Sequence, residues 1–358
     1  MGSAFWSAGR GCFLLPSLEC GRGIESFFFE AHVDERDSVD QRYRPFSYRL
    51  DWILGVVWRK VGDYRAVPPC LMLALVYTYG GALEKPRRRV PARADGVRYT
   101  RQMLLCSVRD CHQPLAREDR RVVCSAGHSF DIARSGYINL LQPQERRSKQ
   151  PGDTAEAVAA RRRLHDRGVT APLLQGIAEI LTPSSADVVL DAGCGDGFYL
   201  GSLAQQSGFD AHGVDISIPA VDAAARRYPG VEWIVANADR FVPYADRSFS
   251  VVLSVTARMN AAEFRRVLRD DGRLLVALPS PEDFAELRGA GRDRVDRTNE
   301  TFAEGFAFVE QRRVSTTAAL DAAGVGDVLL SIYRPMHSRP LEAMRVTFSL
   351  DLLLFRAA

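Results

Sequence analysis

The chain has 358 residues, enough for about two domains at ~150 residues each with some left over. Its 46% hydrophobic and 25% charged composition excludes a wholly disordered, collagen-like or coiled-coil protein. A formal net charge of +3 neither demands nor excludes nucleic acid as a partner.

Residues 1–102 show no sustained helical or strand period. Aromatic bursts such as Phe27-Phe28-Phe29 alternate with charges, and Cys12, Cys20 and Cys70 lack ligand-like spacing. The apolar stretch Pro68 to Leu83, broken by prolines and glycines, is short of the ~20 residues a spanning helix needs, so no membrane partner is expected. The segment ends in the basic run Lys85 to Pro91. It reads as a weakly structured extension, a mis-assigned start being the simplest origin, because Met103 opens the first coherent motif. A chain beginning at Met103 is expected to keep fold and activity.

Residues 103–150 read as a zinc-binding module and basic linker. Cys106 and Cys111 form one pair, Cys124 and His128 a second, within 23 positions. Two such pairs, each on a tight turn, supply the four N/S ligands of a tetrahedral site. Four protein ligands leave no open position, so the metal's role is structural. His112 is a substitute ligand, but Cys111 fits the paired geometry better. Tyr137, Ile138, Leu140 and Leu141 are expected to close a small core over this module. With seven cysteines, too few for a disulfide scaffold, a reducing, cytoplasmic setting fits.

A helix is expected over Ala155 to Arg167, capped by Asp153 or Thr154. Between Met103 and Ala171, 12 Lys/Arg face 8 Asp/Glu, including the triplet Arg161-Arg162-Arg163. That surplus suits either RNA phosphate or a solvated helix face.

The strongest signal follows at Val188. An apolar run ends in Asp191, then Gly193, Gly195 and Gly197 alternate before a helical stretch from Phe198. Strand, glycine loop and helix form the first unit of a doubly wound α/β fold. The acid two residues before the first glycine would repel a pyrophosphate but accept hydrogen bonds from a cationic amino-acid moiety, as S-adenosylmethionine carries. Asp215 ends the next apolar run, 18 residues beyond Gly197, near the ~20 at which an acid binds ribose hydroxyls. A third strand, Val231 to Val235, ends near Asn237-Ala238-Asp239, suited to the adenine. Ala261 to Arg269 reads as an amphipathic helix and Asp270-Asp271-Gly272 as a turn into the strand from Arg273. The runs from Asp327 and Arg345 are expected to pair antiparallel at the sheet edge, with Pro281 to Gln311 as a substrate-facing insertion.

Met103 to Ala358 resembles the 23S ribosomal RNA (guanine-N1)-methyltransferases, most clearly from Cys106 to Gly197. The zinc pairs, H-S-F-D-I-A-R-S-G-Y-I-N-L-L, R-S-K-Q-P-G-D-T-A-E-A-V-A-A-R-R-R and L-D-A-G-C-G-D-G-F-Y carry the resemblance in that order. It implies a class I, Rossmann-like methyltransferase domain over 151–358 behind the zinc-ribbon-like module. It also implies an S-adenosylmethionine cofactor and a ribosomal RNA hairpin loop as partner, with a homodimer as an option. Carried over by position, the metal ligands are Cys106, Cys111, Cys124 and His128. The donor residues are Asp191, Gly193, Gly195, Asp196, Gly197, Phe198, Asp215, Asn237, Ala238 and Thr170. The first zinc pair departs from the family in having four intervening residues rather than two. The family's P-G-P-R-H-L becomes Pro279-Ser280-Pro281-Glu282-Asp283-Phe284, two cationic-capable side chains giving way to acids. That change keeps a methyltransferase of another RNA or of a small molecule as the alternative, and a non-catalytic RNA-binding protein with a vestigial pocket as the third reading. Guanine N1 must lose a proton near methyl transfer. No catalytic residue is assigned, Asp239 and Asp283 being only candidates for the base.

Overall fold

The computed structural model describes residues 103–145, 151–332 and 341–358, all within the unit Val97–Ala358. The expectations for residues 1–102 and for the basic stretch at Arg146, Arg147 and Lys149 lie outside these residues.

Leu115–Glu118 (β1) and Arg121–Cys124 (β2) form a tight antiparallel hairpin, and Ser129–Asp131 (β3) pairs with β2. Ile138–Asn139 (β4) follows. Two helices come next, Ala155–Asp166 (α1) and Ala171–Leu181 (α2). The Thr154 hydroxyl caps α1 by accepting from the Ala157 N–H at 3.2 Å, satisfying one of the free first-turn amides.

The alternating unit then begins. Val188–Ala192 (β5), Phe198–Ser207 (α3), Asp210–Asp215 (β6), Ile218–Arg227 (α4) and Glu232–Val235 (β7) run out in one direction. Phe249–Val255 (β8), Ala261–Val267 (α5) and Leu268–Pro279 (β9) continue on the other side of β5. Ala285–Arg288 (α6), Val295–Phe302 (α7), Phe306–Leu320 (β10), Ala322–Ser331 (α8) and Met344–Ala357 (β11) complete the chain.

The eight-stranded sheet has the order β10-β11-β9-β8-β5-β6-β7-β4, antiparallel only at β11 and β10. The chain reverses its direction of travel at β5 and β8. Ligands of such sheets sit beyond the carboxyl ends of the strands at that switch point. Val189 and Leu190 fall into different apolar clusters, as do Val251 and Val252, because successive strand residues face opposite sides. Both faces are therefore buried.

Three sequence expectations are corrected. The run from Asp327 is not a strand: Asp321 accepts from the Gly324 N–H at 2.7 Å and starts α8, which holds Asp327 to Ser331. The antiparallel partner of β11 is instead β10, taken from the end of the supposed insertion. The rest of that stretch forms α6 and α7, with Phe302 fully buried against Phe264 and Phe355. Asp270-Asp271-Gly272 is a bulge within β9, which steps from Leu268 to Arg273 while β8 advances from Phe249 to Val251.

The metal module does not close a core of its own. Ile138 pairs with Ile234 of β7, and Leu140 donates its N–H to Val235 at 2.8 Å, so β4 lengthens the eight-stranded sheet. Leu104, Cys106, Leu115 and Val122 share an apolar cluster with Ile234, Tyr244 and Phe249. A three-stranded module of so few residues buries little by itself, and packing on the larger sheet supplies the missing apolar contact. Among the described residues, no helix is long and apolar enough to cross a membrane.

Candidate functional site

The four ligand atoms of Cys106, Cys111, Cys124 and His128 lie within 4.8 Å of one another. Cys111 Sγ is 3.8 Å from Cys124 Sγ, and His128 Nδ1 is 3.5 Å from Cys106 Sγ and 3.4 Å from Cys124 Sγ. Tetrahedral zinc, with Zn–S of ~2.3 Å and Zn–N of ~2.05 Å, sets S···S near ~3.8 Å and S···N near ~3.5 Å. The residues fit that ion. The wider first pair closes because Asp110 takes a left-handed conformation (φ 64°) and the Cys111 N–H turns back to Val108. Gly127 (φ 82°) makes the second turn. Burial pushes the Cys106 thiol up to about 12, so a metal must displace its proton. His112, the substitute ligand weighed from sequence, is not part of this cluster. Its ring stacks on Phe241 with centroids 4.1 Å apart.

The glycine loop fills the turn from β5 to α3. Asp191, at the end of β5, is 2% exposed, and its Oδ1 has no hydrogen-bond partner among the described residues. Burial, with Asp215 nearby, pushes its carboxyl up to about 8. A buried carboxylate lacking a partner is costly, and a cation brought to it would recover that cost. Gly193 donates its N–H to Val214 at 2.8 Å, and Gly195 donates to Asp215 Oδ2 at 2.9 Å. Asp215 Oδ1 accepts from the Ser217 N–H. The glycines have separate reasons. A Cβ at Gly193 would strike Ala257, and one at Gly197 would strike Trp233, whereas one at Gly195 would meet only the end of Arg161, at an unstrained 3.6 Å.

Asp196, Phe198 and Thr170 meet at His165, which sequence reasoning did not single out. The His165 ring stacks on Phe198 (3.9 Å, 5°), holds Nδ1 2.7 Å from Thr170 Oγ1 and sets Nε2 3.8 Å from Asp196 Oδ1. Burial pushes its pKa down to about 3, so the ring is neutral at physiological pH. Thr170 thus reaches the loop through a histidine. Asn237 and Ala238 lie half-buried just beyond β7, where the Asn237 carbonyl accepts from the Arg240 and Phe241 N–H groups.

Two non-glycine residues at the same sheet edge adopt the left-handed region, Thr256 (φ 53°) after β8 and Phe284 (φ 53°) after β9. For the β-branched Thr256 this conformation costs about 1–3 kcal/mol, a strain that sequence does not reveal. Asp283 is buried, its Oδ1 accepts from the Ser349 N–H (3.0 Å) and its Oδ2 from Arg288 (3.1 Å). Burial pushes its carboxyl up to about 6. Asp239 is exposed, 3.4 Å from Arg258. Two of the arginine triplet are paired: Arg161 binds Asp153 and is withdrawn from the solvated face the charge count suggested, whereas Arg163 grips Asp327 in a forked pair yet stays exposed on it.

An acid whose folded pKa is raised destabilises the fold as pH climbs from its ordinary value, 3.8, toward about 8, because the unfolded chain ionises first. Asp191→Asn should therefore stabilise the ligand-free protein, by a margin that grows between pH 5 and 8 at up to about 1.4 kcal/mol per unit. Urea unfolding at several pH values reads this, and a pH-independent margin would contradict it.

Comparison with known proteins fits both sites. Residues 105–149 match the family model described as "RlmA, N-terminal", and residues 189–275 match that of a methyltransferase domain. A 23S rRNA (guanine(748)-N(1))-methyltransferase of Streptomyces fradiae is 38% identical over 247 residues, covering 66% of this chain and 87% of that protein. The chain belongs to the 23S rRNA (guanine-N1)-methyltransferase family. It is a class I, S-adenosylmethionine-dependent methyltransferase with a zinc ribbon. A Micromonospora griseorubida protein named "Putative 23S rRNA (guanine-N(1)-)-methyltransferase" is 38% identical over 205 residues, 51% of this chain and 68% of its own. The solved structure of a TehB-like SAM-dependent methyltransferase from Corynebacterium glutamicum has a TM-score of 0.38 at 19% identity, over 57% of this chain and 98% of that one.

Proposed function

We propose that this enzyme methylates N1 of a guanine in 23S ribosomal RNA, on a base exposed in a hairpin loop, in the cytoplasm. The observation that carries the reading is the buried Asp191, whose Oδ1 has no partner among the described residues, beside a glycine loop that Asp215 ties down. S-adenosylmethionine supplies an electrophilic methyl on its sulfonium. Asp191 would accept from the donor's ammonium and Asp215 from its ribose, and Asn237 and Ala238 would lie beside the adenine. Gly193, Gly195 and Gly197 keep the backbone close enough for these contacts, and Asp196, Phe198 and Thr170 hold the loop through His165. The chain's contribution to rate is placement: holding the nucleophile in line can supply up to ~7–11 kcal/mol.

Cys106, Cys111, Cys124 and His128 would hold the zinc, and with it the module of residues 103–150 would keep its place beside the methyltransferase domain of residues 151–358. Exposed Arg109, Arg120 and Arg134 on that module suit RNA phosphate. A loop base spares most of the duplex-opening cost. The acidified stretch after β9 supports no separate small-molecule reading, since Asp283 is tied to Ser349 and Arg288 and Glu282 lies 3.6 Å from Arg313.

The zinc-loaded enzyme with methyl-labelled S-adenosylmethionine should label unmodified 23S rRNA and leave 16S rRNA unlabelled. Equal labelling of both, or of free nucleotides alone, would overturn the assignment.

A further inference from the structure

The amino-acid end of the donor carries two opposite charges, an ammonium and a carboxylate. The edge of the sheet around the glycine loop is strongly acidic: Asp153, Asp191, Asp196 and Asp215 all border it, and the burial of Asp191 and Asp196 leaves little water to screen them. A carboxylate entering that field would be repelled unless a cation met it.

Arg161 is placed to do so. Its Nη1 lies 3.6 Å from the position a Cβ on Gly195 would occupy, the nearest atom to that open space. The guanidinium reaches there from α1 and is held on two sides. Nη1 donates to Asp153 Oδ2 at 2.6 Å, and Nη2 donates to the Ser331 carbonyl at 3.1 Å. Asp153 is itself anchored, its carbonyl accepting from Ser217 Oγ at 2.7 Å, while the Ser217 N–H binds Asp215. The arginine is therefore fixed relative to both acids of the pocket. Burial opposes its charge, but Asp153, Asp196 and Asp215 more than offset this and keep it a cation. A guanidinium has five N–H donors in a planar fork, and two contacts leave donors for a ligand carboxylate.

We infer that Arg161 binds the carboxylate of the donor's methionine moiety, across the pocket from Asp191, so that the amino-acid end is read as a zwitterion. The inference rests on the donor-site reading above and adds a residue and a specificity to it.

Calorimetric titration of the full, zinc-loaded chain with two ligands tests it: S-adenosylmethionine and its decarboxylated form, S-adenosyl-3-methylthiopropylamine. The wild type should prefer the carboxylated ligand by about tenfold or more, the scale of one charge-assisted contact. Arg161→Gln should lose that preference, binding S-adenosylmethionine about tenfold more weakly and the decarboxylated ligand within about twofold of wild type. Because the two ligands are compared on one protein, any general loosening from the lost Asp153 contact cancels. If thermal melting shows that the glutamine variant does not fold, Arg161→Lys carries the same comparison, with a reduced preference expected. A preference unchanged in either folded variant, or absent in the wild type, overturns the inference while leaving the donor site standing. Failure of the wild type to bind both ligands would instead sink the donor-site reading, and the inference with it.

Discussion

Cys124→Ser is expected to strip the protein of zinc and unfold the ribbon, the largest stability effect of any single substitution at the two sites. Structural zinc in small modules contributes about 10–16 kcal/mol of folding free energy, and the apolar residues of 103–141 pack on the larger sheet rather than on a core of their own that could replace it. Cys124 is 4% exposed and approaches both Cys111 and His128, so its loss opens the ligand set. The damage should spread in a defined direction. Leu105 donates to Pro243, Ala245 donates to Met103, and β4 pairs with β7, so a melted ribbon uncovers Ile234 and Tyr244. Metal analysis combined with hydrogen exchange should show less than about a tenth of an equivalent of zinc. Protection should be lost over β1 to β4 and weakened at β7, yet kept at β5 and β8. Full zinc content with wild-type protection would contradict this account.

Gly195→Val should abolish donor binding, by about a hundredfold or more, at modest cost to the fold. Gly195 lies at φ 53°, where a side chain costs about 1–2 kcal/mol, but the only atom near its Cβ is the end of Arg161. The isopropyl group would therefore occupy the ligand's space. Gly197→Val offers the contrast. Its Cβ would collide with Trp233, a fully buried side chain, and overpacking of about 1–3 kcal/mol adds to the backbone strain. That variant should lose stability first, and donor binding only in consequence. Calorimetry beside thermal melting separates the two, and a Gly195→Val enzyme of wild-type donor affinity would refute the placement of the pocket.

Where local chemistry decides the backbone, the sequence was readable. The acid-capped apolar run before Gly193 had one plausible geometry, and β5, β6 and β7 lie where the runs ending at Asp191, Asp215 and Val235 put them. The zinc pairs were legible because ligand spacing is itself a geometric constraint. The sheet edge was not. Asp327 to Ile332 is a short apolar run of the kind that suits strand or helix equally, and the decisive residue, Asp321, caps from outside the run. β10 alternates between half-buried and exposed positions and carries Glu310, Arg312 and Arg313, so its period was masked by an edge strand's charges. Arg161 could not be told from Arg162 and Arg163 by type. Only the folded helix gives the first to the pocket and the third to Asp327. His165 was hidden for the same reason, a lone histidine in a basic helix until Phe198 and Thr170 are brought to it.

The most direct measurement is the identity of the product. After reaction with labelled S-adenosylmethionine, 23S rRNA digested to nucleosides should yield all of its label in N1-methylguanosine, at a single position that blocks reverse transcription. Label in any other nucleoside, on a ribose hydroxyl or on another atom of guanine would contradict the account.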